Sequence, residues 1–100
     1  MASLQIDLQN GFDGEPVTLR VNGREVYRNA DVRTNYAVSH ADSMRVEVPD
    51  GPVDLQVVLE KRGTSARISQ TVAGTAFLGI EVEPSGEVVH HWSDGEFEYL

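Results

Sequence analysis

One hundred residues are enough for one domain with its own core, and a composition 40% apolar and 24% charged is that of a folded chain rather than a disordered one. The absence of cysteine excludes disulfides, thiolate metal sites, iron–sulfur clusters and cysteine nucleophiles together. A net charge of −8 argues against binding a phosphate backbone, so no nucleic-acid partner is expected, and a basic or cationic partner suits it better. No apolar run approaches the roughly 20 residues of a membrane helix, so no membrane partner is expected. The opening Met1-Ala2-Ser3-Leu4-Gln5-Ile6-Asp7 has neither the basic flank nor the apolar block of a signal peptide, which makes the cytoplasm the expected compartment.

Along the chain the prevailing signal is period-two alternation, the mark of a strand with one buried face. Leu4, Ile6 and Leu8 alternate with Gln5, Asp7 and Gln9. Asn10-Gly11-Phe12-Asp13-Gly14-Glu15 follows, with an amide and two carboxylates that could face Ca²⁺. It lacks the ligand spacing of an EF-hand loop, and turn conformation alone accounts for its Asp and Gly residues. Val17, Leu19 and Val21 then alternate with Thr18, Arg20 and Asn22. Asn22-Gly23 is the strongest hairpin signal, because both residues tolerate the positive φ of a type I′ turn. A two-residue loop there sets Val21 opposite Arg24, Arg20 opposite Glu25 and Leu19 opposite Val26, with an ion pair on one face and an aliphatic pair on the other. Residues 29–41 are the one stretch with room for a helical turn.

Met44, Val46 and Val48 form the next alternating run, and Val53, Leu55, Val57 and Leu59 the one after it. The intervening Pro49-Asp50-Gly51-Pro52 predicts a four-residue loop with Val48 opposite Val53, Val46 opposite Leu55 and Met44 opposite Val57. A three-residue loop would face Val46 with Asp54. Lys61-Arg62-Gly63-Thr64 is a further turn, after which Ala66, Ile68 and Gln70 alternate with Arg67, Ser69 and Thr71, and Leu78, Ile80 and Val82 continue the pattern. Glu83-Pro84-Ser85-Gly86-Glu87 fits a type I turn with a Gly bulge, pairing Val82 with Val88, Ile80 with His90 and Leu78 with Trp92. Ser93-Asp94-Gly95 is a last turn, and Phe97 to Tyr99 a short final piece. Seven to nine short strands without helical crossovers predict an all-β chain with a single domain over residues 1–100. The expected fold is an antiparallel β-sandwich, immunoglobulin-like or prealbumin-like, with a small barrel as the alternative. The runs Val17-Thr18-Leu19-Arg20-Val21-Asn22-Gly23-Arg24-Glu25-Val26 and Met44-Arg45-Val46-Glu47-Val48-Pro49-Asp50-Gly51-Pro52-Val53 resemble prealbumin-like modules. They look like the regulatory sandwich domains appended to carboxypeptidases, and the resemblance implies that architecture.

Few residues carry chemistry. His90 and His91 are adjacent on a strand, so their side chains point to opposite faces and cannot share an ion without a bulge. His90 is expected half-buried beside Trp92, and His91 on the surface across from Gly79. Ser39, His40 and Asp42 are the residue types of a hydrolase triad, but triad members meet in space rather than in local sequence, and no nucleophile elbow surrounds any serine. A capping or loop role is expected for Ser39 and Asp42. No glycine-rich phosphate cradle occurs. Arg20, Arg24, Tyr27, Arg28, Arg33 and Tyr36 come nearest to a basic–aromatic surface, with carboxylates among them and Arg20 already paired with Glu25. All eight basic residues lie between Arg20 and Arg67, and six carboxylates follow Ile68 with no Lys or Arg between them.

No cofactor or metal is therefore expected, and the chain is read as non-catalytic. The expected function is a binding or protein-interaction module, self-associating through the faces that carry Phe77, Val58 and Val89, which fall opposite to the apolar phase of their strands. The alternative is a carbohydrate or small-ligand module using Trp92, Tyr99, His91 and Asp94. A small hydrolase built on His40 or His90 with a carboxylate stands third.

Overall fold

In the computed structural model, which describes residues 1–93 with Gly95 and Phe97, the alternating segments become eight strands. These are β1 (Ala2–Leu8), β2 (Asp13–Val21), β3 (Arg24–Arg33), β4 (Asp42–Val48), β5 (Gly51–Leu59), β6 (Thr64–Val72), β7 (Thr75–Val82) and β8 (Val88–Ser93). They form two four-stranded sheets, β4-β1-β7-β8 and β3-β2-β5-β6. The apolar phase of each strand faces the other sheet. Leu4, Ile6 and Leu8 from β1 and Leu78 and Ile80 from β7 meet Val17, Leu19, Leu55, Val57 and Leu59 in one core, all buried. Each such side chain contributes about 1.5–3 kcal/mol through burial, and this layer-on-layer burial is what makes a sandwich of period-two strands.

Two open sheets replace the barrel considered above. The strand order also departs from the immunoglobulin arrangement, in which the first strand lies beside the second. Here β1 lies between β4, antiparallel to it, and β7, parallel to it. That parallel pair is one departure from an otherwise antiparallel structure. A second concerns residues 49–52. Val48 and Val53 do not face each other across a hairpin, because β4 pairs with β1 whereas β5 pairs with β2 and β6. The connection crosses from one sheet to the other. Both valines remain buried because the two apolar stripes face the same core from opposite sides, so alternation alone fits a hairpin and a crossover equally well.

The Asn22-Gly23 turn forms with both residues at positive φ, 51° and 82°. Val21 stands opposite Arg24 and Arg20 opposite Glu25, but a bulge between Leu19 and Arg20 brings Leu19 opposite Tyr27 instead of Val26. Glu25 makes its ion pair with Arg28, at 2.9 Å, rather than with Arg20. The β7–β8 turn keeps the predicted register throughout, with Val82, Ile80 and Leu78 opposite Val88, His90 and Trp92. Residues 29–33 belong to β3, and the one helical turn among the described residues is the 3-10 helix Glu60–Arg62.

All seven connections fall at the two ends of the sandwich. At one end β2–β3, β4–β5 and β6–β7 are each joined by two residues. At the other, residues 9–12, 34–41, 60–63 and 83–87 make longer links. This second end holds the site described next.

Candidate functional site

The long-loop end is built around Gly11. Its φ is +95°, and a Cβ there would lie 1.9 Å from the carbonyl oxygen of Val82. Only glycine lets the β1–β2 loop run this close to β7. The loop is fixed in place by the Gln9 amide donating to the Ile80 carbonyl at 2.8 Å and the Val82 amide donating to the Asn10 carbonyl at 2.9 Å. Thr34 ties it to β3, its hydroxyl accepting from the Phe12 amide at 3.0 Å and donating to the Gln9 carbonyl at 2.6 Å. Phe12 plugs the core beneath.

Glu15 opens the buried phase of β2 and is 0% exposed. A carboxylate there requires a partner, and Arg62 at the end of the 3-10 helix supplies one. Its Nε and Nη2 donate to Glu15 Oε1 and Oε2, both at 2.7 Å, a two-pronged contact of the strongest kind. Nη2 also donates to the Gly11 carbonyl at 3.2 Å and lies 3.7 Å from Asp13 Oδ1. The chain can reach this position because Gly63 ends the helix in the left-handed conformation, φ 64°. Arg62 thus links the β5–β6 connection, the start of β2 and the β1–β2 loop. Hydrogen bonding to Glu15, and then the Glu15 and Asp13 charges, hold its guanidinium more firmly protonated than a free one. Asp13, on the surface, is held below the ordinary value of 3.8 by its hydrogen-bond coupling to Glu15 and by the Arg62 and Lys61 charges.

Above this floor opens a cleft of about 500 Å³, lined by Asn10, Gly11, Asp13, Tyr36, Arg62, Glu81, Val82, Glu83, Pro84 and Val89. One wall is apolar, through Val82, Pro84 and Val89. The rest is acidic, since Asp13, Glu81 and Glu83 are carboxylates and the one cation, Arg62, is already neutralised by Glu15. Asn10 Nδ2 donates to Glu81 Oε1 at 3.0 Å. That bond fixes the amide orientation, and Asn10 Oδ1 is left turned from solvent without a hydrogen-bond partner. At the mouth stands Tyr36, 65% exposed. It sits in a closed turn, in which the Asn35 amide donates to the His40 carbonyl at 2.9 Å and the Ala37 amide to Asn35 Oδ1 at 3.1 Å.

The residues singled out from the sequence are not brought together. Trp92 faces inward, half-buried against the core, and lines a hollow of about 240 Å³ with Gln70, Thr71 and Thr75. His91 lies on the opposite face of β8, its Nε2 2.8 Å from where a Gly79 Cβ would be and its ring edge-on to Phe97 at 5.2 Å. Asp94 and Tyr99 lie outside the described residues. His90 has the predicted register but is exposed rather than half-buried, because β8 is the edge of its sheet. Asp42 accepts a 2.7 Å hydrogen bond from the Tyr27 hydroxyl, tying the two sheets together at their β3 and β4 edges. Phe77 and Val89 sit half-buried on the outer face of one sheet and Val58 on that of the other, so the three do not form one surface.

Sequence reasoning noticed Asn10, Asp13 and Glu15 as an oxygen-rich segment but missed their joining to Arg62, Tyr36, Glu81 and Glu83. One signal was available, since Glu15 extends the buried phase of Val17, Leu19 and Val21, and a carboxylate in that phase demands a cation from elsewhere in the chain. Among the described residues no helix is long and apolar enough to cross a membrane, and no group of three or more His, Asp or Glu side chains is placed to hold a metal ion. Compared with known proteins, the chain matches no protein-family model, no curated protein and no solved structure.

Proposed function

We propose that the chain is a non-catalytic binding module whose ligand site is the cleft at the long-loop end, and that the ligand presents positive charge. The observation that carries this reading is the pairing of three carboxylates, of which Glu81 and Glu83 have no ion pair among the described residues and Asp13 only a 3.7 Å contact with Arg62, with an exposed tyrosine, around a concavity whose floor is held by a buried ion pair. The volume lies in the range of ligand sites, and the charge at the site has the sign of the whole chain, which steers cations toward it. The alternative stacking of sugars on Trp92 has less support, because that ring faces the core and His91 lies on the other side of its strand. Self-association through an apolar face would need Phe77, Val89 and Val58 on one surface.

A thermal-shift screen sorted by ligand charge tests the reading. Ligands that bind only the folded state raise the melting temperature. Cationic ligands should do so in the parent protein, less at high salt, and lose their effect in Glu83→Gln. A screen in which only neutral or anionic compounds stabilise the protein would overturn it.

A further inference from the structure

Resting on that reading of the cleft, we infer that the group it takes is the guanidinium of an arginine side chain projecting from a partner protein. Three features of the cleft select it over other cations. First, the carboxylates of Asp13, Glu81 and Glu83 come from the start of β2, from β7 and from the β7–β8 turn, with apolar residues between them. They do not converge on one point as metal ligands do, since no group of three or more His, Asp or Glu side chains among the described residues is placed to hold a metal ion. A charge delocalised over a flat group with five donors matches such dispersed acceptors better than a point charge does. Beside them Asn10, its amide held by the 3.0 Å bond to Glu81, keeps Oδ1 buried without a partner, a further acceptor next to the cleft.

Second, the apolar wall of Val82, Pro84 and Val89 gives an aliphatic stem a surface to lie along while its charged head reaches the carboxylates. A bare amine has no use for that wall. Third, Tyr36 stands at the mouth with its ring open to solvent, on a turn closed by its own hydrogen bonds. A guanidinium stacks on an aromatic face as an ammonium does not, because it is planar and weakly hydrated. Arg62 directs its two 2.7 Å bonds to Glu15 and reaches only Asp13 among the cleft carboxylates, at 3.7 Å, which leaves Glu81 and Glu83 to the ligand.

The test uses the full chain, ¹⁵N-labelled, titrated with acetyl-Gly-Arg-Gly-amide and with its citrulline, lysine and glutamate counterparts. The arginine peptide should move the Gly11 and Gly86 amide signals and the Asn10 side-chain signals. It should bind roughly tenfold more tightly than the uncharged, equally planar citrulline peptide, given the greater strength of charge-assisted hydrogen bonds. Tyr36→Ala, at an exposed position that leaves the core untouched, should weaken arginine binding about threefold, and Glu83→Gln should weaken it while leaving citrulline binding unchanged. Equal binding of citrulline, or tighter binding of glutamate, with the same signals moving, would overturn the arginine assignment but leave the cleft as a binding site. Equal binding of lysine would overturn the selection by planarity. If no cleft signal moves with any peptide, both this inference and the reading beneath it fall.

Discussion

The two ends of the sandwich solve the same problem, turning a strand back, in different ways. At the short end three connections use two residues each, and Asn22-Gly23 adopts the positive φ angles that let a chain reverse in the least space. Its polar contacts are single bonds to the next strand, as where Asn22 Oδ1 accepts from the Asp54 amide at 3.0 Å. At the long end four connections of four to eight residues enclose a concavity, and their polar groups tie several segments together, Arg62 bonding both Glu15, 47 positions away, and the Gly11 carbonyl. The short end is a set of turns and the long end is a built site. Loops beyond the minimum needed to reverse direction carry most of the binding surface in such scaffolds, and here they supply Asn10, Gly11, Tyr36, Arg62, Glu83 and Pro84 of the cleft, the adjoining strand ends supplying the rest.

The sharpest test of this contrast is Arg62→Met. It strands Glu15 as a buried charge and should cost about 3–5 kcal/mol in urea unfolding. Asn22→Ala at the other end should cost about 1 kcal/mol. Comparable losses would erase the distinction between strut and turn. Next in size is Gly11→Ala, which combines a left-handed φ with overlap on the Val82 carbonyl and should lose at least ~2 kcal/mol. Gly23→Ala has the same sign of φ but meets nothing within 4 Å, and should cost about 1–2 kcal/mol from backbone strain alone. A Gly23→Ala loss as large as that of Gly11→Ala would mean that close approach to β7 is not what demands Gly11.

Smaller effects follow for the flank and the mouth of the cleft. Burial, and then the hydrogen bond to Asp42, push the Tyr27 hydroxyl up from 10.0 to about 12. The folded protein keeps this proton where the unfolded chain has lost it. The contribution to stability is therefore complete below pH 10 and is lost as the pH rises from 10 through 12. Because the ring is partly solvated the loss is only a fraction of the full linkage value. Denaturation curves across that window should show it in the parent and show less of it in Tyr27→Phe. Last, Tyr36→Ala should leave unfolding free energy within about 0.5 kcal/mol of the parent, because the ring projects into solvent, so that any loss of binding in this variant reports on the cleft and not on the fold.

The strands were legible because each buries one face, and a single residue's displacement would have turned Leu4, Ile6 and Leu8 outward together. The β7–β8 register was legible for the same reason, with the turn residues agreeing. What alternation does not encode is which strand a given strand lies beside. Residues 49–52 satisfied a hairpin on paper and form a crossover in space, and nothing local marks β1 as the parallel neighbour of β7. The bulge at Leu19 and Arg20 escaped because a shift of one residue left Tyr27, itself amphipathic, in an acceptable place. The site was the least legible part. Its lining is drawn from four separate connections and the strand ends beside them, and only Glu15, out of character for its phase, hinted that they meet.

The parallel pairing of β1 with β7 bears on the order in which the fold can assemble. β1 emerges first in this sequence and lies in the interior of its sheet, yet one of its two neighbours starts at Thr75. Until then the β3-β2-β5-β6 sheet can form by hairpins and a nearby crossover, while β1 can pair only with β4 and its other edge stays open. Closure across so long a separation is slow relative to local pairing. A chain halted before β7 would display the unpaired backbone of Leu4, Ile6 and Leu8, the sort of edge that recruits strands from other molecules.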